Sequence, residues 1–166
     1  SSITGTGGRI ENAGLILNAA GTGNIEARLD GLPGSTLRAE AGGLSITGGG
    51  LLNGVAFDIP AGASIGIGVG RMVLEGTLSG DIQGDLGVYD EISAGPAGAT
   101  LAFGGTGLFA DRSTFYNVPL TSSGGTFRNT GLLRLGRTAL RQAVIENTGT
   151  VRIESGLQLL DGAILR

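Results

Sequence analysis

Residues 143–149 read AVIENTG, and a near copy of this phrase, GTFRNTG, stands at residues 125–131. A third copy, GRIENAG, occupies residues 8–14, and residues 163–166, AILR, match the start of a fourth. Each complete copy places an isoleucine or a phenylalanine two residues before an asparagine and a glycine two residues after it. The phrase therefore predicts a short strand that ends in a tight change of direction.

The spacing between the copies indicates the kind of fold. Asn129 and Asn147 are 18 residues apart (147 − 129), and Ala143 and Ala163 are 20 apart (163 − 143). A unit that recurs about every 20 residues is typical of repeat proteins. The units of such proteins contact only their neighbours along one axis.

The composition suits a folded domain with a narrow core. The 34 glycines have no Gly-X-Y period, which excludes collagen, and 40% hydrophobic with 15% charged residues argues against disorder. Aromatic residues make up only 4%, as expected for an interior of small and branched side chains. We expect residues 1–166 to form a single domain that is part of a longer repetitive protein.

Several classes of function are disfavoured by what the chain lacks. It has no Cys and no His, which are the commonest metal ligands and the commonest general base. All 11 basic residues are scattered arginines and the net charge is −3, so no nucleic-acid partner is expected. No apolar run approaches the length of about 20 residues that a membrane span needs. We expect no cofactor, no metal and no membrane insertion of this segment.

Short alternating stretches predict strands throughout the chain, for example LSIT at residues 44–47 and TVRI at residues 150–153. A second repeated phrase begins with Pro and Gly or Ala at residues 33–42, 60–70 and 96–105. Proline ends one strand, glycine reverses the chain, and an aliphatic residue starts the next strand. Both phrases therefore predict corners between short strands.

Short strands, tight corners and this period together predict an all-β fold, a single right-handed parallel β-helix (β-solenoid) of about eight coils. Successive coils stack at the strand spacing of about 4.8 Å, which gives a rod roughly 35–40 Å long. The hand follows from the preference of parallel crossovers. A β-sandwich is the alternative, but it does not explain why the same corner phrase recurs.

The repeated asparagines and glycines are predicted to be structural. Asparagine tolerates the left-handed backbone region, which suits a corner, and the glycine after it stands where a tight turn needs room. If Asn129 and Asn147 occupy equivalent corners, their amides can hydrogen-bond along the rod. Asn12 shares the motif, but its counterpart at residues 30–31 does not, so a single rung is expected there. The predicted corner positions are Asn12, Gly14, Asn129, Gly131, Asn147 and Gly149.

The phrase IENTGTVRIESGL at residues 145–157 resembles repeats in large secreted bacterial surface proteins, and so does IPAGASI at residues 59–65. These proteins are adhesins, autotransporter passengers and similar exported β-helix proteins. The likeness is dense over residues 53–80 and 95–166 and implies a fold and an export route, not a catalytic residue. The lack of Cys agrees with it, because chains of this kind often avoid disulfides before they cross an outer membrane.

The resemblance implies a non-enzymatic structural and adhesive shaft of a secreted or cell-surface protein. Such a shaft is a rigid spacer and a contact surface, and its partner is a carbohydrate or the surface of a host or neighbouring cell. End-to-end or lateral self-association is also open, since solenoid ends are free strand edges. Two alternatives remain: a carbohydrate-active β-helix (a polysaccharide lyase or tailspike-like depolymerase), and a self-assembling filament similar to the bactofilins.

Four carboxylates fall within residues 81–91: Asp81, Asp85, Asp90 and Glu91. Carboxylates of this kind bind Ca²⁺ or catalyse sugar hydrolysis when they are correctly placed. No calcium-binding nonapeptide repeat and no EF-hand loop is present. We therefore expect a solvated acidic face.

Aromatic residues concentrate at residues 103–116, and the stretch LFADRSTFYNVP at residues 108–119 breaks the glycine-rich rhythm. We expect a loop or an expanded coil there. Aromatic rings offer an apolar face to a sugar, and loops on a rigid scaffold often carry binding residues. The candidates for ligand contact are Phe109, Phe115 and Tyr116, with an interior aromatic stack as the other interpretation.

Overall fold

The computed structural model describes residues 2–4, 7–105, 108–111, 118–122, 125–135 and 138–166. Over these residues it contains 22 strands and no helix, and so none that is long and apolar enough to cross a membrane. The strands are β1 (Ser2–Ile3), β2 (Arg9–Asn12), β3 (Leu15–Asn18), β4 (Thr22–Ile25), β5 (Arg28–Gly31), β6 (Thr36–Ala39), β7 (Gly43–Ile46), β8 (Gly50–Asn53), β9 (Ala56–Ile59), β10 (Ser64–Ile67), β11 (Met72–Ile82), β12 (Asp85–Val88), β13 (Ile92–Gly104), β14 (Leu108–Asp111), β15 (Val118–Ser122), β16 (Phe127–Asn129), β17 (Leu132–Leu135), β18 (Thr138–Arg141), β19 (Val144–Asn147), β20 (Thr150–Ile153), β21 (Leu157–Leu160) and β22 (Ile164–Leu165).

The strands form three faces that run along a common axis. Face 1 is an eight-stranded sheet in the order β1-β4-β7-β10-β12-β14-β17-β20. Face 2 follows the order β2-β5-β8-β11-β13-β15-β18-β21, and face 3 contains β3, β6, β9, β16, β19 and β22. Faces 2 and 3 belong to one 14-stranded sheet, because β11 and β13 run around the corner between them.

Each described pair of strands is parallel and joins a strand to its counterpart one coil away, for example β4 to β7 and β7 to β10. The predicted all-β parallel solenoid is therefore confirmed. We expected about eight coils, and the structure has about seven turns. Seven steps of about 4.8 Å separate the eight strands of face 1, a span of roughly 34 Å.

The core consists of inward-pointing residues that stack in register from coil to coil. On face 1, Ile25, Ile46, Ile67 and Val88 pair successively and are at most 3% exposed. Side chains alternate between the two sides of a strand, so every second residue contributes to such a column. The column is dry and apolar, and each coil stabilises the next by burial.

Face 3 contains an interior aromatic pair. Phe57 and Phe103 are both in register with Gly80, which lies on the coil between them. Their ring centroids are 6.0 Å apart and the rings meet edge to face, a favourable arrangement for aromatic pairs. Phe103, at the start of the aromatic-rich stretch, is thus part of the core.

The coils differ in length, and one is much longer than the others. Ser64 pairs with Asp85, 21 residues later (64 to 85), whereas Ile92 pairs with Leu120, 28 residues later (92 to 120). We predicted a loop or an expanded coil at residues 108–119, and the register shows that the coil containing them is the longer one. Residues 112–117 of that stretch lie outside the described residues.

Candidate functional site

The two asparagines of the repeated phrase lie on adjacent coils at one corner of the rod. Asn129 and Asn147 end β16 and β19 and pair in register. Asn129 is fully buried, and its Nδ2 donates to Oδ1 of Asn147 at 2.7 Å. The same Nδ2 also donates to the backbone oxygens of Gly131 at 3.2 Å and Thr150 at 3.0 Å. The axial amide hydrogen bond predicted from the spacing is present.

The reason for asparagine at these corners differs from the predicted one. Among the described non-glycine residues, the ones with positive φ are Val69, Gln142 and Asp161. The expectation that the repeated asparagines turn the corner in the left-handed region was therefore wrong. Their amides instead donate hydrogen bonds to backbone carbonyls at the corner, those of Gly131 and Thr150 from Asn129 and that of Gly149 from Asn147.

The glycines after these asparagines are needed for space. A Cβ placed on Gly131 would collide with the carbonyl oxygen of Phe103, and one on Gly149 would collide with that of Gly131. Neither glycine has a positive φ. The room predicted for these glycines is thus required by the backbone of the adjacent coil.

The third copy of the phrase occupies a different corner. Asn12 ends β2 on face 2 and pairs with Gly31, so it has no amide partner, as expected. Its Oδ1 accepts from the backbone N–H of Gly14 at 3.1 Å, and a Cβ on Gly14 would meet no atom within 4 Å. Asn18, which the sequence did not single out, is also buried and donates to the backbone oxygen of Gly43 at 3.2 Å.

Arginine–carboxylate pairs connect neighbouring coils along the outside of the rod. Each of the nine described arginines forms a salt bridge with a carboxylate, usually one on the next coil. The pairs between coils are Arg9–Asp30, Arg38–Asp58, Arg71–Glu91, Arg128–Glu146, Arg134–Glu154, Arg141–Asp161 and Arg166–Glu146. Exposed pairs contribute little individually to stability. Together they neutralise the described arginines, and their regular spacing favours one register between neighbouring coils.

Asp30 is the buried member of this system. Its side chain is 3% exposed, and it accepts hydrogen bonds from Arg9 on one coil, from Arg28 and from the backbone N–H of Leu51 on the next coil. Burial acts to raise the pKa of Asp30, but the hydrogen bonds from Arg28 and Arg9 outweigh it, and the pKa is lowered. Asp30 is therefore an ionised bridge across three coils.

The four carboxylates of residues 81–91 do not converge. Asp81 lies on face 3, Asp85 on face 1, and Asp90 and Glu91 at the corner between faces 1 and 2. Glu91 pairs with Arg71 at 3.3 Å, and Asp90 accepts from the backbone N–H of Glu91. Within the described part of the chain, no group of three or more His, Cys, Asp or Glu is placed to hold a metal ion.

Of the aromatic candidates, Phe115 and Tyr116 lie outside the described residues. Phe109 lies in β14, in register with Leu86 and Leu135, which are both buried. Among the aromatic residues whose burial the structure describes, Tyr89, directly after β12, is the exposed one, at 42%. The sequence signal for it was the alternation of glycines in GIGVG at residues 66–70 and in the GVY stretch that contains Tyr89.

The ring of Tyr89 lies against glycines of face 1. A Cβ on Gly66 would come within 2.5 Å of Tyr89 Cε2, and one on Gly68 within 2.6 Å of Tyr89 Cβ. A Cβ on Gly87 would be 3.3 Å from the Tyr89 hydroxyl oxygen. We call Tyr89 with Gly66, Gly68 and Gly87 the Tyr89 platform. The glycines permit the ring to lie against the backbone of two coils.

Two open grooves flank the corners of the rod. The acidic groove, of about 400 Å³, lies at the start of β10 and β12 and is lined by Gly42, Gly62, Ala63, Ser64, Gln83, Gly84 and Asp85. The threonine groove, of about 340 Å³, lies where β11 and β13 turn from face 2 to face 3, and its polar side chains are Thr77, Thr100, Thr126 and Arg128. Both have the volume of small-molecule sites.

Comparisons with known proteins do not assign a family. No protein-family model matches the chain, and neither the comparison with curated proteins nor that with solved structures finds a match. The candidate site is therefore defined by its geometry: the ladder of stacked coils, the Tyr89 platform and the acidic groove beside it.

Proposed function

We propose that this chain is a rigid, non-enzymatic shaft of a secreted or cell-surface bacterial protein, acting as a spacer and as a contact surface. The observation that carries the proposal is that three kinds of contact join successive coils: parallel backbone ladders, arginine–carboxylate pairs and the Asn129–Asn147 amide bond. A rod joined at its core, its corners and its surface resists bending. The export part of the proposal is supported by the surface-protein phrases at residues 59–65 and 145–157.

The stiffness of the rod can be measured with spin labels, because the chain has no cysteine and two introduced cysteines can therefore be labelled specifically. Spin labels at Ala13→Cys and Ser155→Cys, two exposed positions near opposite ends, report the axial distance by double electron–electron resonance. We expect one narrow distance distribution in dilute buffer. Adding about 1–2 M urea, which lowers the free energy of unfolding by a few kcal/mol, should leave the distribution unchanged. A broad or multimodal distribution would contradict the shaft.

The location is tested on intact cells that produce the protein. We expect an antibody against this chain to label unpermeabilised cells, and external protease to remove the label. Labelling that requires permeabilisation argues for an intracellular protein and against an exported shaft.

A second candidate, cleavage of a polysaccharide, is favoured by one observation. Asp58 and Asp81 are in register on adjacent coils of face 3, and Arg38 pairs with Asp58 at 3.2 Å. Two carboxylates beside a cation are the groups that such an enzyme uses. A reducing-end assay on a panel of polysaccharides decides: turnover that disappears in Asp81→Asn supports the enzyme, and no turnover supports the shaft.

A further inference from the structure

We propose that face 1 binds a neutral, flat oligosaccharide of the β-1,4-linked glucan type, which stacks on Tyr89 and extends into the acidic groove. The inference rests on the proposed function, because it names the ligand class of the shaft's contact surface. It follows from the shape, the polar groups and the charge of this face.

The first argument is the preorganised ring. Gly66 and Gly87 occupy outward positions of β10 and β12, yet both are buried, because the Tyr89 ring covers them. The ring is thus held against the sheet, while 42% of the residue remains exposed. A fixed aromatic face binds a pyranose without losing much side-chain entropy.

The second argument is the strained neighbour of this ring. Val69 follows Gly68, has a φ of 69° and is 79% exposed. A β-branched residue in the left-handed region is a backbone outlier, and such strain is concentrated at functional sites. Val69 places an apolar side chain at the corner after β10, one coil before the corner at which Tyr89 follows β12.

The third argument is that polar groups continue the platform. Asp85 precedes Gly87 by two residues and is on the same side of β12, about 7 Å away along the strand. Asp85, Ser64 and Gln83 line the acidic groove. A carboxylate, a hydroxyl and an amide can all hydrogen-bond to sugar hydroxyls. One pyranose on the ring and the next in the groove fit this order.

Charge and shape select the class of sugar. The acidic side chains beside the platform are Asp85, Asp90 and Glu91, and the described arginine at this corner, Arg71, pairs with Glu91. The described carboxylates would repel an anionic glycan or a nucleic acid, which favours a neutral ligand. The outward positions beside the ring are the small residues Ser45, Gly66 and Gly87, in register on three coils, so this face has little relief. An all-equatorial β-1,4-linked chain is a flat ribbon with apolar faces, whereas an α-1,4-linked chain is curved.

Isothermal titration calorimetry with cellohexaose tests the proposal, with maltohexaose as the curved counterpart. We expect wild-type protein to bind cellohexaose and Tyr89→Leu, which still covers the glycines, to bind it at least about tenfold more weakly. Tyr89→Phe retains the ring and should stay within about threefold. Thr100→Ala, in the threonine groove, is the matched control and should bind like the wild type.

A measurement on the unmodified protein keeps the test valid if Tyr89→Leu fails to fold. Nitration of Tyr89 by tetranitromethane, followed by peptide mass spectrometry, should slow when cellohexaose is present and not when maltohexaose is. The proposal is overturned if wild-type protein does not bind cellohexaose, if Tyr89→Leu or nitration shows no effect, if Thr100→Ala abolishes binding, or if maltohexaose binds equally well. None of these outcomes alters the spin-label or surface-labelling results, so the two proposals fail separately.

Discussion

Asn129 donates a hydrogen bond from its Nδ2 to Oδ1 of Asn147, 2.7 Å away on the next coil. The bond is side chain to side chain and runs along the axis of the rod, beside the backbone ladder that pairs the same two residues. On the preceding coil the residue in register with Asn129 is Leu101, which has no amide, so the axial amide contact does not continue in that direction. Oδ1 of Asn129 accordingly has no donor among the described residues. This corner therefore depends strongly on one amide.

We predict that Asn129→Ala lowers the free energy of unfolding by about 1–3 kcal/mol, because the carbonyls of Gly131 and Thr150 lose a buried donor. Asn147→Ala should cost less, since Asn147 is only partly buried. Urea titrations of both single variants and the double variant measure the coupling between the amides. Strictly additive effects would show that the 2.7 Å contact contributes nothing to stability.

Two glycines that share the repeated phrase should respond differently to alanine. Gly149→Ala places a Cβ against the backbone of Gly131 and is expected to cost about 1–3 kcal/mol or to prevent folding. Gly14→Ala meets open space at an ordinary φ, so we expect a change within about 0.5 kcal/mol. Thermal unfolding of the pair decides, and equal losses would mean that the adjacent coil does not approach Gly149 as described.

Asp30 should make the protein sensitive to acid. Its folded-state pKa lies below the value near 3.8 of an unperturbed aspartate, so its contribution to stability is complete above that pH. As the pH falls below 3.8 the unfolded chain takes up the proton first, and the contribution is lost as the pH passes the folded-state pKa.

The variant Asp30→Asn should therefore be less stable at pH 7, by about 1–3 kcal/mol, but should lose less stability between about pH 4.5 and 2.5. Unfolding free energies measured across this range test the slope. Asn12→Ala is a suitable control, because it removes a buried hydrogen bond and no carboxylate, and it should keep the wild-type slope. A wild-type slope in Asp30→Asn would contradict the role of Asp30.

Replacing Val69 should stabilise the fold. Val69→Gly relieves a β-branched residue at a φ of 69° and, because the side chain is 79% exposed, removes little buried surface. We expect a gain of about 1 kcal/mol in unfolding free energy. Gln142→Gly, at a φ of 50° but unbranched, should gain less. A loss of stability in Val69→Gly would mean that the Val69 side chain makes stabilising contacts.

The repeated phrases were sufficient to predict the fold and one side-chain contact. Asn129 and Asn147 stand 18 residues apart, each at the start of the same Asn-Thr-Gly phrase, and a phrase repeated after one period is expected to pair in register. The placement of Asn12 was beyond this reasoning. It matches the motif, but it ends a strand of face 2 and not of face 3, because local sequence defines a corner without defining which of three corners it is.

The sequence by itself determined that this chain winds into stacked parallel coils, because strand, corner and asparagine signals are local and recur with one period. Only the tertiary structure decided that Asp30 is buried between two arginines and that Tyr89 lies on Gly66, Gly68 and Gly87. These residues are about one coil from several of their partners, and the coils differ in length. Which side chains meet is therefore settled by the register of the coils once they stack.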